Sequence, residues 1–208
     1  MKAIYLIILY TLNFIYFILY RVRYVGCENI PKNNGYIVAS NHRGLSDPLF
    51  ICSGARNKQV HFMAKVELFR TPVLRFIIKD VGGAIPVSRG SADMESIDAL
   101  NNVLNNDGLV GIFIEGTRSH NIRPSKGKSG AALMARQTGC GIIPCAIIYD
   151  GKLKPFKRIT VVFGKPIEQE ELFPNGSASL RYATNTAVEK INLLIDEQGV
   201  PRIEDSNG

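Results

Sequence analysis

A chain of 208 residues that is 46% hydrophobic and 21% charged can bury one sizeable core, which excludes a disordered or collagen-like polymer. The formal net charge of +7 suits an anionic membrane surface or a phosphorylated ligand. No nucleic-acid partner is expected, because the basic residues are spread out, Trp is absent and no zinc-finger or RNA-binding signature occurs.

Residues 3–20, AIYLIILYTLNFIYFILY, carry no charge. As a helix they extend about 27 Å, close to the thickness of a bilayer core. Tyr20 abuts Arg21 and Arg23, as at a membrane interface. No small-x-small cleavage site follows, which argues against a signal peptide. A core helix that is apolar all round needs cover on every side, which a domain this small supplies poorly. Residues 1–23 are therefore expected to form a membrane-associated hydrophobic helix, spanning or lying in one leaflet. Residues 24–208 are expected to form one domain. If the helix spans, the two arginines favour a cytoplasmic body.

The body alternates strand-like and helical patterns. Short apolar runs at 36–40 (YIVAS), 60–63, 84–87, 109–114, 142–148 and 159–163 read as buried strands. Met94, Ile97, Leu100 and Leu104 follow helical spacing, with Ser91 as N-cap. Residues 128–138 read as a second helix. Ala187, Val188, Ile191, Leu194 and Ile195 form the apolar face of a third, which starts after PNGS (174–177) and stops before Gly199 and Pro201. The pattern predicts a single α/β domain whose mixed, mostly buried sheet is flanked by helices. The last residues, IEDSNG, are expected to fray.

The four cysteines contain no CxxC pair, and with three histidines the chain offers no structural zinc site, so no metal is expected. Cys52 and Cys145 lie in apolar surroundings and read as small core residues. Free thiols fit a reducing compartment.

Three polar blocks follow strand-like runs, where α/β domains place their chemistry. NHRGLSD (41–47) sets His42 and Asp47 five residues apart, so a local bend brings the carboxylate onto the imidazole, fixing its tautomer. The competing reading is a helix-capping Asp47 and a surface His42. GGAIPVSRG (82–90) delivers Arg89 to a strand end; an ordinary solvated arginine at a turn is its competitor. FIEGTRS (113–119) follows an apolar strand. There Gly116 permits close backbone approach, Arg118 offers a planar fork for phosphate, and Thr117 and Ser119 add hydroxyls. Glu115 is placed to accept from a substrate hydroxyl or to orient an arginine. Lys126 and Lys128, near a helix start, attract an anion. A nucleotide-binding P-loop is excluded, because the required glycine at 122 is Ile122, and no GxSxG elbow exists for a serine hydrolase.

Together these residues resemble the glycerol-phosphate and lysophosphatidic acid acyltransferase family, whose blocks NHxxxxD, GxIxVxR, FPEGTRS and a late proline-centred apolar block appear here as NHRGLSD, GAIPVSRG, FIEGTRS and IIPCAI (142–147). They occur in the family's order across about residues 24–165. Ile114 replaces the usual proline of the third block, and Gly44 stands where many members carry a bulkier residue.

The resemblance implies that His42 is the general base and Asp47 its orienting partner. It implies that Arg89, Glu115, Gly116, Thr117, Arg118 and Lys128 hold the acceptor's phosphate and glycerol end. It further implies acyl transfer from acyl-CoA or acyl carrier protein to a lysophospholipid acceptor at a membrane, with no cofactor besides that co-substrate. The acceptor expected is 1-acyl-glycerol 3-phosphate, with glycerol 3-phosphate or another lysolipid as variants. Two other readings remain: a membrane-tethered phosphate-binding module without activity, which needs no base, and a hydrolase in which the same base activates water.

Overall fold

The computed structural model describes residues 18–56, 58–87 and 94–200, together with Ile7, Thr11 and Phe14. In chain order the elements are β1 (Arg21–Val25), β2 (Tyr36–Ser40), α1 (Asp47–Gly54), β3 (Val60–Lys65) and α2 (Pro72–Arg75), which runs into a π-helical turn over Phe76–Val81. There follow β4 (Ile85–Val87), α3 (Met94–Asn105), β5 (Leu109–Phe113), α4 (Gly130–Thr138), β6 (Gly141–Ile148), β7 (Arg158–Phe163), α5 (Gln169–Leu172) and α6 (Leu180–Glu197).

The strands form one seven-stranded sheet in the order β1-β7-β6-β2-β5-β3-β4. Neighbours are parallel except β6 and β7, which are antiparallel. The sheet is thus mixed, as expected. Strands β2 and β6 are buried at every position, because helices cover both faces, and this is why they read as unbroken apolar runs rather than alternations. Side chains still alternate by face. Ile37, Ala39, Ile142 and Ala146 pack with Ala131, Ala135, Ala187 and Ile191 of α4 and α6. Val38, Ile143, Cys145 and Ile147 pack on the other face with Phe50 and Ile51 of α1. Cys145 is a core residue, and all four cysteines are free thiols.

Differences from the sequence pattern are local. The sheet begins at Arg21, three residues before the expected start of the domain, because β1 pairs with β7 from Arg21 onward. Met94 is exposed rather than on the buried face of α3, where Leu100 and Leu104 carry the packing. Helix α4 starts at Gly130, two residues later than expected. Ser179 caps α6 by accepting from the Tyr182 amide at 3.2 Å. The Ser91 cap, Arg89, the terminal IEDSNG and most of residues 1–17 lie outside the described residues. No helix among the described residues is long and apolar enough to cross a membrane.

Because β2, β3, β5 and β6 are parallel, their C-terminal ends share one edge of the sheet. The segments after β2, β5 and β6 gather there. The β6–β7 reversal makes β7 and β1 begin at that same edge.

Gly111 links this frame to the site. It lies opposite Phe62 in the β3–β5 register, and a β-carbon there would collide with the Phe62 ring. That ring stacks on Phe113 at 5.5 Å, and Phe113 stacks on His42 at 3.8 Å. Gly111→Val, although it adds a good strand former, is expected to lower stability by about 1–3 kcal/mol through overpacking. Urea unfolding measures this as a lower midpoint with an unchanged slope.

Candidate active site

Strand β2 ends at Ser40, and the next residue, Asn41, extends the sheet with its side chain. Asn41 is fully buried. Its amide nitrogen donates to the carbonyls of Ile147 (2.9 Å) and Ile122 (2.8 Å), and its Oδ1 accepts from the Ile147 amide (2.8 Å). One side chain thereby continues the β2–β6 ladder and holds the 119–124 loop against it, so the chain leaves β2 at a fixed angle into His42.

His42 Nδ1 lies 2.9 Å from Asp47 Oδ2. The same oxygen accepts from the backbone amides of Arg43 (2.5 Å) and Gly44 (2.7 Å). The expected bend therefore exists. It is produced by the turn over 43–46 that enters α1, with Asp47 as the first helical residue and Pro48 as the second. Proline suits that place because the amide it lacks has no helical partner, and the positive end of the helix favours the carboxylate. The Asp47 side chain is entirely buried, whereas that of His42 is 18% exposed. With Nδ1 facing an acceptor, the neutral ring carries its proton there, and Nε2 is the free base. Phe113 stacks on the ring almost parallel, at 13° between planes, and fixes its rotation.

The FIEGTRS segment is sewn to this loop by two backbone bonds, from the Ile114 amide to the Ser40 carbonyl and from the Ser119 amide to the His42 carbonyl, both 2.8 Å. Ile114 is buried, and a proline in its place could not donate the first of these bonds. Gly116 has a φ of 70°, the left-handed region that disfavours a β-carbon. Such a carbon would also meet Cδ of Lys128 at 2.7 Å. Lys128 therefore lies across Gly116, held by its own amide bonded to the Ile114 carbonyl at 2.7 Å. Thr117, Arg118 and Lys128 are exposed, and Arg118 immediately precedes the residue bonded to His42. Glu115 is half-buried, and its Oε2 has no partner. Burial pushes its carboxyl above the usual range, against a backbone hydrogen bond from His42 and the nearby imidazole, which both lower it.

Of the residues expected at the site, His42, Asp47, Glu115, Gly116, Thr117, Arg118 and Lys128 thus meet at one edge of the sheet. Arg89 lies outside the described residues. Among the described residues no group of His, Cys, Asp and Glu has the arrangement of a metal site.

The pattern did not single out Asn41, Phe113, Arg43 or Tyr149. Arg43 is bound to loop carbonyls. Its guanidinium donates to the carbonyls of Tyr149, His120 (3.1 Å) and Gly151 (3.2 Å), and sits 4.2 Å above the Tyr149 ring. It ties the segments after β2, β5 and β6 together. Burial, and next the Asp47 carboxylate, push the Tyr149 phenol up to about 12, so it remains a neutral hydroxyl. A β-carbon on Gly44 would sit 3.0 Å from that hydroxyl and 3.5 Å from the unpartnered Oδ1 of Asp47, so the glycine leaves room for Tyr149.

The acyltransferase family profile matches residues 21–148, more than half of the chain, and the chain belongs to the acyltransferase family. It is 28% identical over 179 residues to the 1-acyl-sn-glycerol-3-phosphate acyltransferase of Bacillus subtilis, covering 82% of this chain and 87% of that one. The enzyme of the same description from Streptococcus pneumoniae is also 28% identical over 179 residues, with 84% and 66% covered. The fold is shared with the crystal structure of the 1-acyl-sn-glycerophosphate acyltransferase of Thermotoga maritima, at a TM-score of 0.70 and 23% identity, over 88% of this chain and 74% of that one.

The raised carboxyl of Glu115 carries a pH signature. Its charged form is disfavoured by folding, so it costs stability above its folded titration range and nothing once pH falls below the unfolded one. Glu115→Gln is therefore expected to melt at or above the wild-type temperature near pH 7, the difference vanishing as pH falls into the acid range. Thermal unfolding across pH measures it.

Proposed function

We propose that the protein transfers a fatty acyl group from a thioester, acyl-CoA or acyl carrier protein, to the free hydroxyl of 1-acyl-glycerol 3-phosphate, yielding phosphatidic acid. The observation that carries this reading is the His42–Asp47 pair set beside the Glu115–Arg118 turn on one sheet edge. The named activities of the Bacillus and Streptococcus relatives support the same acceptor.

The chemistry follows from the geometry. The acceptor hydroxyl gives its proton to Nε2 of His42 as its oxygen attacks the thioester carbonyl. Asp47 stabilises the resulting imidazolium from the far side of the ring. Collapse of the tetrahedral intermediate expels the thiolate, which recovers the proton from His42. The acyl group passes directly to the acceptor; Cys145, in β6, is no rival nucleophile, because it is wholly buried and that burial pushes its thiol far up. Arg118 and Lys128, with Arg89, bind the acceptor's phosphate. The half-buried Glu115 accepts from a glycerol hydroxyl, and Gly116 and Thr117 shape the turn around it. No cofactor beyond the co-substrate is needed.

We also propose that the apolar residues ahead of β1, up to Tyr20, associate with a membrane as a helix and that the His42 edge faces lipid, on the cytoplasmic side. Ile7, Phe14, Ile18 and Leu19, ahead of Tyr20, are exposed, as is Leu45 (80%), three residues after His42. Exposed apolar side chains of this size favour an apolar neighbour.

Two outcomes are expected. Replacing His42 by Ala should reduce turnover roughly a hundred-fold to ten-thousand-fold while the chain stays folded, read by mass spectrometry of phosphatidic acid formed from each donor. Near-normal transfer by this variant contradicts the mechanism. Arg118→Ala should cut efficiency for the phosphorylated acceptor at least about ten-fold, from the loss of a charge-assisted contact. It should leave a phosphate-free lysolipid analogue little changed; an equal loss for both contradicts the assigned role.

A further inference from the structure

Strand β1 opens with two arginines on one face. Its parallel register sets Arg21 against Arg158 and Arg23 against Thr160 of β7. Side chains at i and i+2 of a strand share a face, so three guanidinium groups stand together at the outer edge of the sheet. All three are exposed, and with Val22 and Thr160 they line a groove of about 360 Å³. Like charges opposed across strands destabilise a sheet. None of the three forms an ion pair among the described residues. The one acid of the neighbouring β6–β7 loop, Asp150, is paired with Lys157 at 3.6 Å. Among the described residues the cluster lacks an anionic partner.

Its position is informative. β1 and β7 begin at the edge where β2 runs into His42. The apolar segment joins the fold at the same point, since Tyr20 directly precedes β1. The carbonyl of exposed Leu19 accepts from the Phe156 amide at 2.5 Å. The Phe156 side chain is 70% exposed, on a backbone with a φ of 64°, a conformation rare for an aromatic residue. An apolar tip is thus held outward beside the arginines.

We infer that the groove between Arg21, Arg23 and Arg158 binds the phosphate of an anionic membrane lipid, at a place separate from the acceptor site beside His42. Bound there, the lipid seats the catalytic edge on the bilayer while Phe156 and Leu19 enter the interface. Guanidinium forks match phosphate oxygens, and an aromatic ring sits well at headgroup level. The inference rests on the reading that the apolar segment ahead of β1 meets a membrane, and the experiment separates the two.

The test is co-sedimentation of the full-length protein at limiting lipid and low salt. It uses phosphatidylcholine vesicles, the same vesicles containing phosphatidylglycerol, and the latter with inorganic phosphate equal in concentration to the lipid. Three proteins are compared: wild type, Arg21→Gln/Arg23→Gln/Arg158→Gln, and Lys32→Gln/Arg136→Gln/Arg181→Gln, which removes equal charge from exposed positions elsewhere. Thermal melts establish that all are folded. The wild type and the control variant should prefer phosphatidylglycerol vesicles, and the groove variant should lose that preference by on the order of a hundred-fold. Retained preference in the groove variant, or an equal loss in the control, overturns the groove. Equal wild-type binding to both vesicles overturns the groove but not the membrane reading; binding to neither overturns both. Displacement by equimolar inorganic phosphate overturns the assignment to lipid.

Discussion

Taking a carboxylate out of water costs several kcal/mol unless donors replace its hydration. At Asp47 three donors converge on one oxygen: the His42 ring and the amides of Arg43 and Gly44. That requirement shapes the loop. The amides can reach Oδ2 only if the chain turns back on itself between β2 and α1, and this turn presents the imidazole edge to the carboxylate. The same interaction fixes the tautomer and leaves Nε2 facing outward. The remaining oxygen, Oδ1, is buried without a partner. The structure thus keeps a costly group in place, where it orients the imidazole.

The sheet supplies the frame in which such a loop can be rigid. Asn41 bonds both β6 and the 119–124 loop, Phe113 clamps the imidazole face, and Arg43 joins three segments through carbonyls. Each works because parallel strands deliver their ends to one edge, so contacts between residues far apart in sequence converge within one hydrogen-bond length. The single antiparallel step, β6 to β7, has a second effect. It brings the start of β1, and with it the apolar segment and the arginine groove, to the edge that carries His42.

How much of this could be read from the sequence depended on the range of the interaction. His42 and Asp47 are five residues apart, and their pairing needs only a local turn. The strands β2, β5 and β6 were visible because burial on both faces makes them unbroken apolar runs. Strand β1 was hidden: RVRYV alternates as an edge strand does, but its arginines read equally well as the flank of a membrane segment. Asn41, Arg43 and Tyr149 were invisible for another reason. Their partners lie about a hundred residues away and are mostly backbone carbonyls, which leave no trace in side-chain pattern. The role of Gly111 depends on an aromatic ring on the next strand, a contact that the apolar run 109–114 does not reveal.

The central claim is that the buried Asp47 holds His42 with its proton on Nδ1 and its Nε2 free to act as base. Nitrogen-15 NMR of the labelled imidazole observes this directly in the resting protein. At a pH where the ring is neutral, the account predicts for His42 a protonated, hydrogen-bonded Nδ1 and an unprotonated Nε2. A neutral ring carrying its proton on Nε2 would contradict it.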